Sequence, residues 1–197
     1  LKNSKIKNEE VDEVIMGQVL TGGAGQNPAR QAAINAGVPI SKPAHLVNQV
    51  CGSGLRAVIS GYQSIKLGDS SNIIVGGQEN MSIAPHSIFC RDEKKISEDK
   101  LLDTMINDGL MDAFNNYHMG VTAENVASKW NVSRKDQDDF ALLSQSKAQE
   151  AIKNKKFLDE IIDTKIEDEY PRTDVSIDTL SKLKPVFKER GTVTAGN

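Results

Sequence analysis

The 197-residue sequence has only two cysteines and three histidines. Cys51 and Cys90 lie far apart and fall in no metal-ligand spacing, which argues against a zinc centre or any other resident metal. Two cysteines also make no disulfide framework, and in a reducing compartment both stay free thiols. A basic surplus is missing as well. The 24 Lys and Arg against 27 Asp and Glu leave a net charge of -3, so nothing suggests a nucleic acid partner, whose phosphates need a clustered basic face. No apolar run approaches the length of a membrane span, and the first residues lack the pattern of a signal peptide. The expectation is a cytoplasmic protein with neither membrane nor nucleic acid among its partners. A hydrophobic content of 38% and a mean hydropathy of -0.41 suit one good core and a second, smaller one at this length.

What is present alternates strand and helix. Residues 1–10 are polar and read as the tail of a helix. Val11 to Leu20 is β-branched and ends at Gly22-Gly23, a strand pattern. Gly23-Ala24-Gly25 suggests a dinucleotide loop, but Pro28 stands where the third glycine belongs, so a turn is the better reading. Asn27 followed by Pro28 predicts a capped helix that stops at Gly37. A second strand over 44–50 precedes a helix from Gly52 to Gly68, with Leu55, Val58, Ile59, Tyr62 and Ile65 at helical spacing. Asn72 to Gly77 is a short continuous apolar run, the kind buried on both faces of a parallel sheet. These are consecutive βαβ units, hence an α/β domain with a mostly parallel sheet.

From about Met81 the rhythm breaks. Residues 82–120 show no clear period and carry a charged run from Arg91 to Lys100, which in a compact domain points to a binding segment. Thr122 is predicted to cap one helix. Ser133 with Asp136 caps another, carrying Phe140, Leu143, Ala148, Ala151 and Ile152 roughly along one face. Residues 160–166 alternate like a half-buried strand. The resulting division is 1–81, 82–190 as a helix-rich α+β insertion, and 191–197 as a strand returning to the first sheet. Leu1 is no initiator methionine, and the chain breaks off at Thr194-Ala195-Gly196-Asn197 where a turn should follow, so it reads as an excerpt of a longer protein.

Cys51 is the candidate nucleophile. It sits where a strand hands over to a helix, and the unpaired N–H groups and positive dipole end of that helix favour a thiolate. Gly52 and Gly54 let a substrate approach the backbone, and the Cys51 N–H is available to an oxyanion. The plain alternative is a buried core cysteine, the usual role of that residue type. Cys90 has no such setting. A base is needed, and the residues alone leave open which of His45, His86 and His118, if any, reaches Cys51. Arg172 and the group Lys182, Lys184, Lys188 and Arg190 form a local basic face. Such a face is usually only solvated. It would also suit a phosphate-bearing ligand, with Arg172 stacked on a purine.

Five blocks in order resemble the thiolase family, and specifically its biosynthetic acetoacetyl-CoA-forming members. They are Gly25 to Ala33, Asn48-Gln49-Val50-Cys51-Gly52-Ser53-Gly54-Leu55-Arg56-Ala57, Gly76 to Ser82, Tyr117-His118-Met119-Gly120-Val121-Thr122-Ala123-Glu124-Asn125, and Gly191 to Asn197. The resemblance implies a thiolase-like βαβαβ N-terminal half with a CoA-binding loop domain at 82–190, and Cys51 as the residue acylated by acetyl-CoA. It implies Leu110, His118 and Met119 at the pantetheine and acyl end, Arg172 on the adenine, Thr179 near CoA where the family often has serine, and Val186 and Phe187 beside the pantetheine arm. Met119 would limit acyl length.

Coenzyme A and acetyl-CoA are then substrates, no tightly bound cofactor is implied, and the complete protein is a homo-oligomer, a dimer or tetramer. The family's catalytic histidine, in Gly-His-Pro, and its second cysteine, in Cys-x-Gly-Gly-Gly, fall beyond Asn197, so His45, His86 and His118 are not the base. A CoA-thioester binding fragment without turnover, or another condensing enzyme of the superfamily, is the alternative. The two halves of the family pack on each other, so an isolated 1–197 segment should expose a large apolar face and be poorly soluble.

Overall fold

Val14 and Ile15 alternate across a strand that is buried on both faces, and the first part of the chain is built around it. The computed structural model describes residues 4–91, 101–161 and 168–197. The chain groups into two units, Leu1–Met111 and Asp112–Asn197.

The first unit runs β1 (Glu13–Gly17), α1 (Pro28–Asn35), β2 (Ala44–Val47), α2 (Ser53–Leu67) and β3 (Ile73–Gly77). The three strands are parallel in the order β2-β1-β3. The βαβαβ expectation stands, with shorter strands. β2 ends at Val47 rather than residue 50, because Val50 adopts a φ of 48° that no strand tolerates. β1, between two neighbours, is the buried strand, whereas β3 pairs among the described residues on one side only and is half-buried. Residues 8–10 form a 3-10 turn, not the tail of an α-helix.

Both helices cap as their sequences predict. Asn27 Oδ1 accepts the Arg30 N–H at 3.1 Å with Pro28 at the first helical position, and α2 closes on Gly68 at a φ of 82°. Their packing faces are made of small residues. α1 lays Ala29 and Ala33 on the sheet, where Ala33 joins Val11, Val14 and Val38 in the core. α2 buries Ser53, Ala57 and Gly61, and a Cβ on Gly61 would lie 2.6 Å from Val75. Val75 pairs in register with Ile15, so both side chains point to the α2 side of the sheet. The large apolar residues at helical spacing on α2 face outward, with Leu55 68% and Tyr62 61% exposed. Close approach of helix and sheet needs small residues, and a Leu or Tyr would hold them apart.

The Asp12 carboxylate closes the lower edge, accepting from the Ser71 N–H at 2.8 Å, the Asn72 N–H at 3.1 Å and Lys42 Nζ at 3.2 Å. Those bonds, the Ser71 one first, hold its pKa below the usual carboxylate value. After β3 come a 3-10 turn (Met81–Ile83), an antiparallel pair of β4 (His86–Ser87) with β5 (Leu102–Asp103), and a π-helical turn (Met105–Leu110). Local pairing thus replaces the aperiodic stretch expected there, and most of the charged run 91–100 lies outside the described residues.

The second unit holds α3 (Met119–Trp130), α4 (Arg134–Lys153) and α5 (Ile177–Ser181). α3 starts four residues earlier than predicted. His118, not Thr122, is its cap, with Nδ1 accepting the Gly120 N–H at 3.0 Å. The Ser133–Asp136 capping box forms as predicted. α4 turns Phe140, Leu143 and Ile152 outward, with Phe140 73% exposed, and its single buried residue is Asp138. Arg134 Nε donates to both Asp138 oxygens at 3.0 and 2.9 Å, and Asn197 Nδ2 donates to the same carboxylate at 2.7 Å. Polar satisfaction, not the apolar stripe, orients this helix. The strand expected over 160–166 falls from 162 onward outside the described residues.

Residues 191–197 form no strand. The buried Glu124 carboxylate draws them onto α3, accepting the Thr192 and Val193 N–H groups, each at 2.8 Å. Burial works against that charge, but the N–H donors of Val193 and Thr192 outweigh it, and the Glu124 pKa lies below the ordinary glutamate value.

Two predictions follow from these anchors. A carboxylate held low in the fold adds stability above its unfolded pKa and loses it as pH falls through the folded value. Glu124→Gln should therefore lower the urea midpoint, read by Trp130 fluorescence, near pH 7, with the gap to the parent closing toward about pH 3; a gap independent of pH refutes the assignment. Gly61→Val should destabilise by about 1–3 kcal/mol through overpacking, whereas Leu55→Ala should stay within about 0.5 kcal/mol. Equal effects in chemical denaturation would show that the two α2 faces are misassigned.

Candidate active site

Gly17, the last residue of β1, lets the first turn of α2 rest on the C-terminal edge of the sheet: a Cβ there would overlap the Ser53 backbone, and only glycine permits that approach. Gly54 meets Gly77, the last residue of β3, beside it, where a Cβ on Gly77 would lie 3.6 Å from the Gly54 Cα, an ordinary contact. The chain between β2 and α2 reverses within five residues, and it does so with side-chain help. Asn48 Oδ1 accepts the Val50 N–H at 2.9 Å, and the Gly52 N–H reaches the Gln49 carbonyl at 3.0 Å. Ser53 Oγ accepts the Gln49 N–H at 2.9 Å and donates to the Val50 carbonyl at 2.5 Å.

Cys51 stands on this turn, exposed and free, just before the N-cap residue Gly52. Gly52 has no side chain to cap the helix, and with the Ser53 N–H bound to the Val50 carbonyl at 3.1 Å, the remaining N–H groups of the first turn lie at the cysteine's end. A cavity of about 480 Å³ opens beside it, lined by Cys51 with Leu20, Met81, Met105, Gly109 and Leu110 among others. Its polar members are committed elsewhere. Glu79 accepts the Val19 N–H at 2.9 Å and the Leu20 N–H at 3.3 Å, and Gln78 donates to Gln18 at 2.8 Å. No histidine lines it. His45 pairs across the strands with Glu13 at 3.0 Å, and His86 lies on β4.

In the second unit, Arg172 and Thr179 line a cavity of about 470 Å³ together with Gln145, Tyr170, Leu180 and Leu183. Two glutamines one turn apart on α4 grip the Arg172 backbone: Gln145 Oε1 accepts its N–H at 2.9 Å, and Gln149 donates to its carbonyl. The guanidinium forms a two-point pair with Asp174, Nε and Nη2 each 3.1 Å from a carboxylate oxygen. That pairing holds the Asp174 pKa below the ordinary value, and it fixes the plane of Arg172 with its faces open. Lys182 is likewise paired, with Asp178 at 2.6 Å, so the basic face is partly neutralised. Thr179 spends its hydroxyl on the α5 cap, accepting the Ser176 N–H at 2.9 Å.

His118 and Phe187 stack at 4.8 Å between centroids and 19° between planes. A Cβ on Gly120 would overlap the Phe187 ring, which explains a glycine inside a helix. Because His118 Nδ1 accepts the Gly120 N–H, its ring proton sits on Nε2 when neutral. Met119 is the first residue of α3 and partly exposed, and Val186, also exposed, donates its N–H to the Val193 carbonyl at 3.0 Å.

The structure thus gathers the sequence candidates into three places. Leu110 lies with Cys51, Arg172 with Thr179, and His118 with Phe187. Ser53, Gln145, Gln149 and Asp174 were not singled out by sequence, and only the spacing of the glutamines at positions i and i+4 carried a signal. Among the described residues no group of three or more His, Cys, Asp or Glu is placed to hold a metal ion, and no helix is long and apolar enough to cross a membrane.

These features define an α/β protein that presents a cysteine at a strand-to-helix turn beside an apolar cavity. The family described as "Thiolase, N-terminal domain" matches residues 1–197. An acetyl-CoA acetyltransferase of Rhizobium meliloti (strain 1021) is 52% identical over 207 aligned residues, taking in all of this chain and 53% of the relative. The cytosolic acetyl-CoA acetyltransferase of Rattus norvegicus is 48% identical, over 98% of this chain and 51% of its own length. Among solved structures, the crystal structure of the Bacillus anthracis acetyl-CoA acetyltransferase superposes with a TM-score of 0.92 at 34% identity, covering all of this chain and 52% of that one. The chain belongs to the thiolase family and spans about half the length of the curated relatives it matches.

Proposed function

We propose that this chain is the nucleophile-bearing half of an acetyl-CoA acetyltransferase that joins two acetyl-CoA molecules into acetoacetyl-CoA and runs the reverse thiolysis. The observation that carries the reading is the free, exposed Cys51 on a turn at the open end of α2, beside an apolar cavity. The Cys51 thiolate attacks the thioester carbonyl carbon of acetyl-CoA, the bond from that carbon to the CoA sulfur breaks, and CoA leaves as a thiolate that takes up a proton. In this reading the N–H of Cys51 and the dipole of α2 stabilise the oxyanion. A second acetyl-CoA then loses an α-proton, its carbanion attacks the acetyl carbonyl on Cys51, and the cysteine is expelled as thiolate. The cavity beside Cys51 offers no free base, since Glu79 is bound to backbone N–H groups. The base and the proton donor for CoA are assigned to the histidine and second cysteine that the family resemblance places beyond Asn197.

In this reading residues 1–81 carry the nucleophile and 82–190 hold the substrate. Arg172, kept flat by Asp174 and by the two glutamines, stacks on the adenine. Thr179 stands nearby. His118, Met119, Val186 and Phe187 border the pantetheine arm, Met119 limits acyl length, and Leu110 closes the acyl end beside Cys51. CoA is a substrate and not a resident cofactor. The complete protein works in the cytoplasm as a dimer or tetramer, which fits the cytosolic label of the rat relative.

Incubation with acetyl-CoA should add one acetyl group to Cys51, seen by intact-mass and peptide mass spectrometry and absent in Cys51→Ala, without sustained acetoacetyl-CoA production by the 197-residue chain. Acetylation at another residue overturns the nucleophile, and turnover at an ordinary enzymatic rate overturns the need for the other half. Loss of a cation–π stack costs about 0.5–2 kcal/mol. Arg172→Ala should accordingly weaken CoA binding by roughly threefold to thirtyfold in calorimetry, with little effect on pantetheine, which has no purine. An equal loss for both ligands removes Arg172 from the adenine.

A further inference from the structure

The residue before the nucleophile is strained. Val50 has a φ of 48°, and a β-branched side chain in that region is an outlier that costs of order 1–3 kcal/mol and persists only where the surroundings impose it. What imposes it is visible. Ser53 is 4% exposed, and its hydroxyl makes no cap within its own helix. It reaches back across Cys51 instead, accepting the Gln49 N–H at 2.9 Å and donating to the Val50 carbonyl at 2.5 Å. Both partners precede Cys51 in sequence and Ser53 follows it, so the hydroxyl braces the loop whose free corner is the cysteine, beside the backbone bonds from the Gly52 N–H to the Gln49 carbonyl at 3.0 Å and from the Ser53 N–H to the Val50 carbonyl at 3.1 Å. The Ser53 backbone cannot shift to relieve the turn, because it is pressed against Gly17 at the end of β1.

We propose that Ser53 is a positioning residue for the nucleophile: its side chain staples the strained Val50 peptide and so keeps Cys51 at the open N-terminal turn of α2. This rests on the reading of Cys51 as nucleophile. Without the hydroxyl, the Gln49 N–H loses its acceptor, Val50 relaxes toward extended φ, and the peptide carrying Cys51 rotates away from the helix end. The role differs from plain core packing in one respect. A glycine at position 50 adopts positive φ without strain, so it should make the staple dispensable.

The test is the rate of Cys51 alkylation by iodoacetamide in the 197-residue chain, followed by mass spectrometry alongside the thermal midpoint. Ser53→Ala should slow alkylation about tenfold, in line with release of a strain of this size, and the double variant Val50→Gly/Ser53→Ala should return to within about twofold of the parent. A Ser53→Ala chain that fails to fold while the double variant folds and reacts like the parent gives the same support. Parent-like alkylation of Ser53→Ala overturns the proposal. So does a double variant as slow as the single one, or loss of folding in both, since relief of strain would then rescue nothing. A parent chain alkylated no faster at Cys51 than at Cys90 defeats the nucleophile reading itself, and is distinguished by needing no Ser53 variant.

Discussion

The seating of one helix end on one sheet edge governs the first unit. Gly17 at the end of β1 lacks the carbon that would overlap the Ser53 backbone, and Gly54 of α2 and Gly77 of β3 meet beside it. Their contact brings the N–H groups of the first α2 turn to the C-terminal ends of the strands, where parallel sheets place ligands and reactive groups. The link from β2 to α2 is then too short for relaxed backbone. Val50 takes a left-handed conformation, Asn48 and Ser53 hold it there, and Cys51 is left as the exposed corner.

Close packing by small residues recurs along the same elements. Ala29 and Ala33 on α1, and Ser53, Ala57 and Gly61 on α2, let the helices lie near the sheet. The second unit depends more on buried charge. Glu124 gathers the Thr192 and Val193 N–H groups, while Asp138 joins Arg134 and Asn197. Each carboxylate exchanges hydration for several directed donors. Because Arg134 also donates to the Leu180 and Leu183 carbonyls at 2.6 and 3.0 Å, α5 and the chain end are tied to the same helix. The wall of the cavity that holds Arg172 and Thr179 is therefore set by polar bonds made on its far side.

Local chemistry was legible without coordinates wherever it acts over a few residues. The Asn27-Pro28 start, the Gly68 stop and the Ser133–Asp136 box all formed as their residue types require. The βαβαβ order and the position of Cys51 between strand and helix were equally plain. Helical faces were not. Spacing put the large apolar residues of α2 and α4 on one face without saying what that face meets, and the structure turns Leu55 and Phe140 outward. Hydrophobic spacing shows that an element has an apolar face, but not what covers it. Residues 191–197 were read as a strand from β-branched composition, and a buried glutamate 68 positions before Thr192 holds them instead.

What the sequence by itself determined is the order of elements, most of their caps, the family blocks and the place of Cys51 between strand and helix, because these depend on residue type and short spacing. Only the tertiary structure decided the sheet order β2-β1-β3, the strained φ of Val50, the staple from Ser53, and the grip of Gln145, Gln149 and Asp174 on Arg172. Each of these is a contact or a dihedral imposed when distant segments meet. No residue announces such a feature on its own, since a serine after Cys-Gly or a glutamine on a helix has many uses until its neighbours in space are known.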